Sequence, residues 1–441
     1  MSSKNISMVF SAPMYMKLLN NGERRRSEEN HRILVEGITE GIQWIKERCR
    51  VILDDDSLKL CILYNAYTEE RAGEYIRSVG NLSFDNLYAD SGGLQVVTRG
   101  QVLTNELKRE IYRRQRDSAD FGFCFDEIPL GIKEGVDPNN GAHRSQTASK
   151  LFSPQGFKDS AEKTALNVKS QCEMFLHEGN AQAFYILQGN EQDEMYRWFE
   201  TGVNVIGRDM FDAIRGVAPA DTCMGNGTLE TANMMAAYHR IVKDFGPDYA
   251  KNHLHLLGVG SPSRLLPAIL LKRAGFLKED LEISFDSSSQ SMALVMGNFT
   301  DSDGTRPNKD RRKEQVMFGR FYDDLGFILE KAAPTMTRQW FMDWLASNWD
   351  SSSKIIQTSP PEKKIAMRIF VTLICVWQSL GFMQRLRNEL DSDETRFSPV
   401  GQLSQVKDMD DFRAWEREFA RFVKSKKIDR RPDSDLNDLF Q

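Results

Sequence analysis

The segment His253–Gly275, HLHLLGVGSPSRLLPAILLKRAG, changes its pattern in mid-course. Its first part is apolar over a length suited to a strand and closes on a glycine turn. Its second part has helical patterning, with Ser261 and Pro262 placed as N-cap and first-turn proline and Gly275 as the stop. Such a hand-over is one unit of a parallel α/β fold. Working outward, the same hand-over recurs. LEISFDSSS follows from Leu281, and upstream lie MFDAIRGVA from Met210, QAFYILQGN from Gln182, DFGFCFDE from Asp120, NLYADSGG from Asn86 and LCILYNAY from Leu60. The N-terminal ISMVFSAPMYM could supply one more strand. About eight units fit a (β/α)8 TIM barrel, the α/β fold in which catalytic residues project from the carboxyl ends of the strands. Asp90, Asp126, Gln188 and Asp286 all close their apolar runs. Asp and Gly also serve as plain strand-terminating turn residues, and pattern alone does not separate the two roles.

With 441 residues and 40% hydrophobic content the chain can bury one large core and carry an appended domain. The expected division is a barrel over 1–305 and a mainly helical C-terminal extension over 306–441, where Trp340, Trp344, Trp349, Trp377 and Trp415 lie in long helical patterns. Ile365 to Phe382 is the most apolar C-terminal stretch, but Arg368 and Gln378 interrupt it, which suits a buried helix rather than a membrane span. Six scattered cysteines, none in a CxxC or CxC pair, and the lack of a charged-then-apolar leader point to a reduced cytoplasmic protein, in a host's cytoplasm if a phage encodes it. No membrane partner is expected.

The net charge of −5 gives no global nucleic-acid signature, so phosphate contacts must come from local clusters. Four qualify: Arg24 to Arg26; the helix with Lys108, Arg109, Arg113, Arg114 and Arg116; the Arg306–Lys313 loop; and Lys424 to Arg431. Arg306, Lys309, Arg311 and Arg312 are the preferred backbone contacts because their loop should leave the barrel near Asp286.

Breaking an N-glycosidic bond with retention takes two carboxylates, one attacking the anomeric carbon and one handling protons at the leaving base. Asp286 and Asp90 lie on strands far apart in sequence and could converge only in a closed barrel. In ADSGGLQ, Gly92 and Gly93 permit positive φ and a close backbone approach to a flat ligand, while Ser91 and Gly92 border it. A guanine-like base offers an N–H and an amine on one edge, matched by the Asp126 carboxylate, and Gln188 with the Gly216 backbone could meet its carbonyl edge. Glu127 suits a structural salt bridge equally well. His143, His253 and His255 lack a second ligand at metal spacing and are expected to hydrogen-bond structurally. Ser287, Ser288 and Ser289 are expected to hydrogen-bond around Asp286 or a sugar.

The strings ADSGGLQ (Ala89–Gln95), FDE (Phe125–Glu127), ILQG (Ile186–Gly189), RGVA (Arg215–Ala218), LLGVGSP (Leu256–Pro262) and FDSSS (Phe285–Ser289) together resemble the tRNA-guanine transglycosylase family, in the same order and over just over half the chain. The resemblance implies a (β/α)8 barrel that exchanges guanine in a polynucleotide for a 7-deazaguanine through a covalent ribosyl-enzyme intermediate. It implies Asp286 as nucleophile, Asp90 as general acid/base, Asp126, Gln188 and Gly216 as base-recognition residues, and Leu257 and Gly258 as lining of the base pocket. FDSSSQS is closer to the archaeal pattern than to the bacterial one, which points to 7-cyano-7-deazaguanine as the incoming base.

The family's CxCxxC-plus-histidine zinc site is absent, since Cys375 is the only cysteine after Cys223, and neither metal nor cofactor is expected. That departure turns the expectation towards the branch acting on DNA, the DNA 7-deazaguanine transglycosylases. DNA and a free 7-deazaguanine base are the expected partners, with a homodimer as the expected assembly. The alternatives are the same exchange in tRNA, a retaining hydrolase using the same carboxylates, and a non-catalytic paralogue that binds a modified base.

Overall fold

The computed structural model describes residues 6–11, 28–53, 59–68, 73, 76, 84–93, 103–128, 154–189, 192–220, 228–259, 262–273, 275, 277–278, 280–287, 311–349, 352–391, 406–415, 417–418 and 421. Eight strands run in sequence order around one barrel: β1 Ile6–Ser11, β2 Cys61–Asn65, β3 Asn86–Asp90, β4 Phe121–Phe123, β5 Gln182–Gln188, β6 Gly216–Ala220, β7 His253–Leu256 and β8 Glu282–Ser287. Helices alternate with them: α1 Glu28–Leu53, α2 Asn105–Ser118, α3 Pro154–Glu178, α4 Gln192–Ile206, α5 Arg208–Ala213, α6 Thr228–Phe245 and α7 Pro262–Arg273. The C-terminal part is helical, with α8 Arg311–Ala332, α9 Arg338–Asn348, α10 Ser352–Thr358 and α11 Lys364–Asp391. This is the (β/α)8 architecture that the alternating pattern implies. No helix among the described residues is long and apolar enough to cross a membrane.

One strand starts later than its sequence suggests. Met210 to Ala213 belong to α5, which turns off α4 at Gly207 (φ 78°) and buries Phe211 against Phe199 and Tyr249, so β6 begins only at Gly216. The aromatic anchor holds the segment in a helical turn despite its apolar look.

The chain divides into two compact units, with 1–2, 90–284 and 389–441 in one and 3–89 and 285–388 in the other. In the second unit α8 packs on α1, with Lys331 paired to Glu40 at 2.8 Å, so the C-terminal helices group with the first strands. Phe318, Phe321, Phe341 and Phe370 form its aromatic centre, and the Trp377 indole N–H donates to Asp324 at 2.8 Å.

In the first unit the sequence pattern explains both layers. Helix α2 starts at Thr104, whose hydroxyl accepts from the Leu107 amide, and buries Ile111, Tyr112, Gln115 and Ser118 along one stripe. The buried Gln115 amide donates to the Phe123 carbonyl at 2.9 Å, and Gln171 of α3 donates to Gln115 at 2.7 Å, which ties both helices to the end of β4. Inside the strands, Phe121 meets His253 at 5.6 Å between centroids and Phe123 meets His255 at 4.6 Å. Strands β4 and β7 are not neighbours in the barrel order, so these contacts cross its interior. The interior is packed with side chains, as in other barrels of eight strands.

Candidate active site

The register of β5, β6 and β7 sets the level of the site. Gln188 pairs with Ala220, and Ala220 bridges Leu257, so these three positions lie side by side at the carboxyl ends of adjacent strands. Gly258 follows in the left-handed region (φ 72°) and is exposed. On the other flank, the chain leaves β4 through Cys124 and Phe125 and brings Asp126 to Gln188, whose Nε2 donates to Asp126 Oδ2 at 2.5 Å. The amide nitrogen is the donor and the carboxylate oxygen the acceptor when Asp126 is ionised. This leaves Gln188 Oε1 buried without a hydrogen-bond partner among the described residues.

The turn after β3 closes against this pair. Ser91 is fully buried, and its hydroxyl donates to the Cys124 carbonyl at 3.1 Å. Gly92 has φ 84°, as a tight strand-to-helix turn requires. Gly93 is needed for a different reason: a Cβ there would fall on Asp126 Oδ1 and within 3.1 Å of the Asp126 carbonyl oxygen. Asp126 is 7% exposed, and burial, followed by the charge of Asp90, raises its carboxyl to about 7; the Gln188 hydrogen bond works in the opposite direction. The structure thus brings together Asp90, Ser91, Gly92, Asp126 and Gln188, level with Leu257.

Gly216 is not brought to this level. It is the first residue of β6 and pairs with Phe184, four residues before Gln188, or about 13 Å along a strand. A Cβ on Gly216 would meet the Phe184 ring at 2.5 Å, so the glycine makes room for an aromatic side chain in the barrel interior. Its expected contact with a base at the Asp126 level is not supported by this register.

Below the site lies a polar chain that the sequence reading covered only as structural histidines. Ser284 Oγ sits 2.7 Å from His253 Nε2 and 2.8 Å from His255 Nδ1, and His253 Nδ1 faces Glu282 at 3.3 Å. Arg215 pairs with the same Glu282 carboxylate at 3.0 Å. One proton order satisfies both hydrogen bonds of Ser284: His255 Nδ1 donates to Ser284, and Ser284 donates to His253 Nε2, while His253 Nδ1 only faces Glu282. The period of two in HLH and EIS was the signal for this shared inward face. Replacing Ser284 by alanine removes the shared partner of two buried imidazoles and is expected to cost about 1–3 kcal/mol. A urea-denaturation midpoint equal to that of the wild type would remove this chain as a stabilising element.

Asp286 belongs to the second unit. It is the penultimate residue of β8, after the fully buried Phe285, and is itself 9% exposed. Alternation along the strand gives it the same face as Ser284. Ser288, Ser289, His143, Arg306 and Lys309 lie outside the described residues, as do Arg24 to Arg26 and Lys424 to Arg431. Arg311 and Arg312 open α8, and Arg312 is exposed. Glu127 forms the salt bridge that its position allowed, with Lys108 Nζ at 2.9 Å, and Lys108 also donates to Asn167 at 2.9 Å. Among the described residues no group of three or more His, Cys, Asp or Glu side chains is arranged to hold a metal ion. No protein-family model matches the chain, and no curated protein matches it either.

Proposed function

We propose that this chain is a base-exchange glycosyltransferase that replaces guanine in DNA with a 7-deazaguanine, 7-cyano-7-deazaguanine being the incoming base. The observation that carries the reading is the buried acceptor pair beside Asp90: the Asp126 carboxylate and the unpartnered Gln188 Oε1. A buried acceptor without a donor costs roughly 1–3 kcal/mol, and a ligand edge rich in N–H groups removes that cost. Guanine and its 7-deaza analogues present such an edge. The ordered strings shared with the transglycosylase family support the same chemistry, and the missing zinc motif favours DNA over tRNA.

In this reading Asp286 attacks C1′ of the target nucleotide, forming a carboxylate ester as the glycosidic bond breaks. Asp90 gives its proton to the departing guanine, and as carboxylate takes one from the incoming base. The incoming nitrogen then attacks C1′ and expels Asp286, so two inversions give net retention. Because C1′ of a stacked nucleotide is out of reach, the target base is extruded or the strand is already open.

The test is incubation with labelled guanine or 7-cyano-7-deazaguanine and, separately, duplex DNA, single-stranded DNA and bulk tRNA. Label in DNA is expected. Label only in tRNA keeps the mechanism and overturns the substrate, and label in none overturns the reading.

The Asp126 carboxyl gives a pH dependence with a defined sign. Base N–H groups need its ionised form, and with a proton held up to about pH 7 the free protein binds the base weakly at pH 6. Base affinity is expected to be about tenfold higher at pH 8 than at pH 6. Calorimetric titration of the free base that shows no change between those pH values would remove Asp126 as the acceptor.

A further inference from the structure

We infer that the groove between α2 and α3 is a track for the phosphate backbone of the nucleic-acid substrate, an inference that rests on the proposed function and extends it to the binding surface. The groove has a volume of about 720 Å³, and its lining includes Lys108, Arg109, Arg113, Arg116, His177 and a single carboxylate, Glu173. A cationic lining of this kind stands out in a chain of net charge −5. Helix α2 carries five cations against three carboxylates, and Arg109, Arg113 and Arg116 recur at a spacing of four and three residues, which puts them on one face. Their axial steps are about 6 and 4.5 Å, so the face offers a row of cations rather than a point.

The groove is linked to the candidate site through one ion pair. Lys108, in its first turns, is tied to Glu127, the neighbour of Asp126, and Arg116 and His177 lie about 12 Å further along the helix direction. A strand whose target nucleotide is held at Asp126 could therefore continue directly onto this face.

The carboxylates along α2 do not close the groove. Glu110 meets Arg113 at 2.9 Å and Arg114 at 3.3 Å, and Arg116 meets Asp117 at 2.7 Å. The Arg113–Glu110 pair is about half exposed on both sides, and exposed pairs of this kind hold weakly enough for a phosphate to compete. Arg109 is exposed. Lys108 and Arg116 are the least exposed of these cations, and the role of Lys108, held by Glu127 and Asn167, is to anchor the top of the groove.

The test uses the full chain, a fluorescein-labelled single-stranded and duplex oligonucleotide, and anisotropy titrations over a salt series. Arg109→Ala combined with Arg113→Ala is expected to make the slope of log K against log[salt] shallower by about 1.4 on single strands and about 1.8 on duplex. Arg114→Ala, on the same helix but outside the groove lining, is expected to leave the slope within experimental error of the wild type. Binding of free 7-cyano-7-deazaguanine by the double variant should equal that of the wild type, which reports an intact fold and site. A wild-type slope in the double variant, with nucleic-acid binding intact, overturns the groove and leaves the exchange reading standing. A wild-type protein that binds neither DNA nor tRNA overturns both.

Discussion

Replacing Asp286 by alanine is expected to abolish base exchange, with a loss of roughly four orders of magnitude or more, and to remove the covalent protein–nucleic-acid adduct. The size follows from its role. A carboxylate that forms the bond to C1′ has no substitute in water, because the retaining route divides one difficult displacement into two easier ones and both run through this oxygen. Asp286 stands near the end of β8, a strand whose middle positions Ile283, Ser284 and Phe285 are fully buried, and it is buried itself. Truncation at that position deletes the reacting group while the residues that set the strand stay in place. The adduct is read on a denaturing gel after incubation with labelled oligonucleotide, and the loss of exchange from incorporation of labelled base. Exchange within tenfold of the wild type would sink the nucleophile assignment. Asp286→Asn serves as the isosteric control, since an amide fills the space and cannot form the ester.

The barrel was legible because its signal is local and repeated. Seven short apolar runs each pass to a segment of helical patterning, so seven hand-overs agree even where one boundary slips. Met210 to Ala213 slipped because the apolar residues of a short helix and of a strand look alike over four positions; the burial of Phe211 among Phe199 and Tyr249 decides the case, and that is a tertiary fact. The level of Gly216 was hidden for a related reason. RGVA shows a strand, but only the register with Phe184 shows that its glycine lies four residues below Gln188. The partner in an ion pair was equally out of reach of pattern: Glu127 read as a salt-bridge former, but only the structure shows that it meets Lys108 of the basic helix α2, whose Arg109, Arg113 and Arg116 line the groove while Arg114 does not. Conversely, Asp90, Asp126 and Gln188 were legible as ends of apolar runs, because in a parallel barrel the end of a strand is also a place in space.

Asp126→Asn is the second change with a large expected effect, and it should separate stability from function. The wild-type carboxyl is raised from an ordinary 3.8 to about 7 by burial and by the charge of Asp90. A group whose proton is held more tightly in the folded state contributes stability that is full below its unfolded value and is lost as pH rises through the folded value. At pH 8 the wild type has therefore lost on the order of 2–4 kcal/mol at this position. Asparagine has no charge to bury beside Asp90, and its carbonyl oxygen can still accept from Gln188 Nε2, so the variant is expected to be more stable than the wild type at pH 8 and to show a smaller difference at pH 5. Base binding should go the other way. The amide puts an N–H where the base also presents N–H groups, and a site built on hydrogen bonds rejects a mismatch of this kind by roughly 10⁴-fold. Denaturant midpoints at pH 5 and pH 8 give the first comparison, and kcat/KM for labelled base gives the second. A variant that is stabilised at pH 8 yet exchanges base normally would show that the buried carboxyl is strained but not used, and the base edge would then have to be read elsewhere. A variant less stable than the wild type at both pH values would mean that the ionised carboxylate is held by contacts stronger than its repulsion from Asp90, and the pH dependence of base binding would have to be assigned to another group.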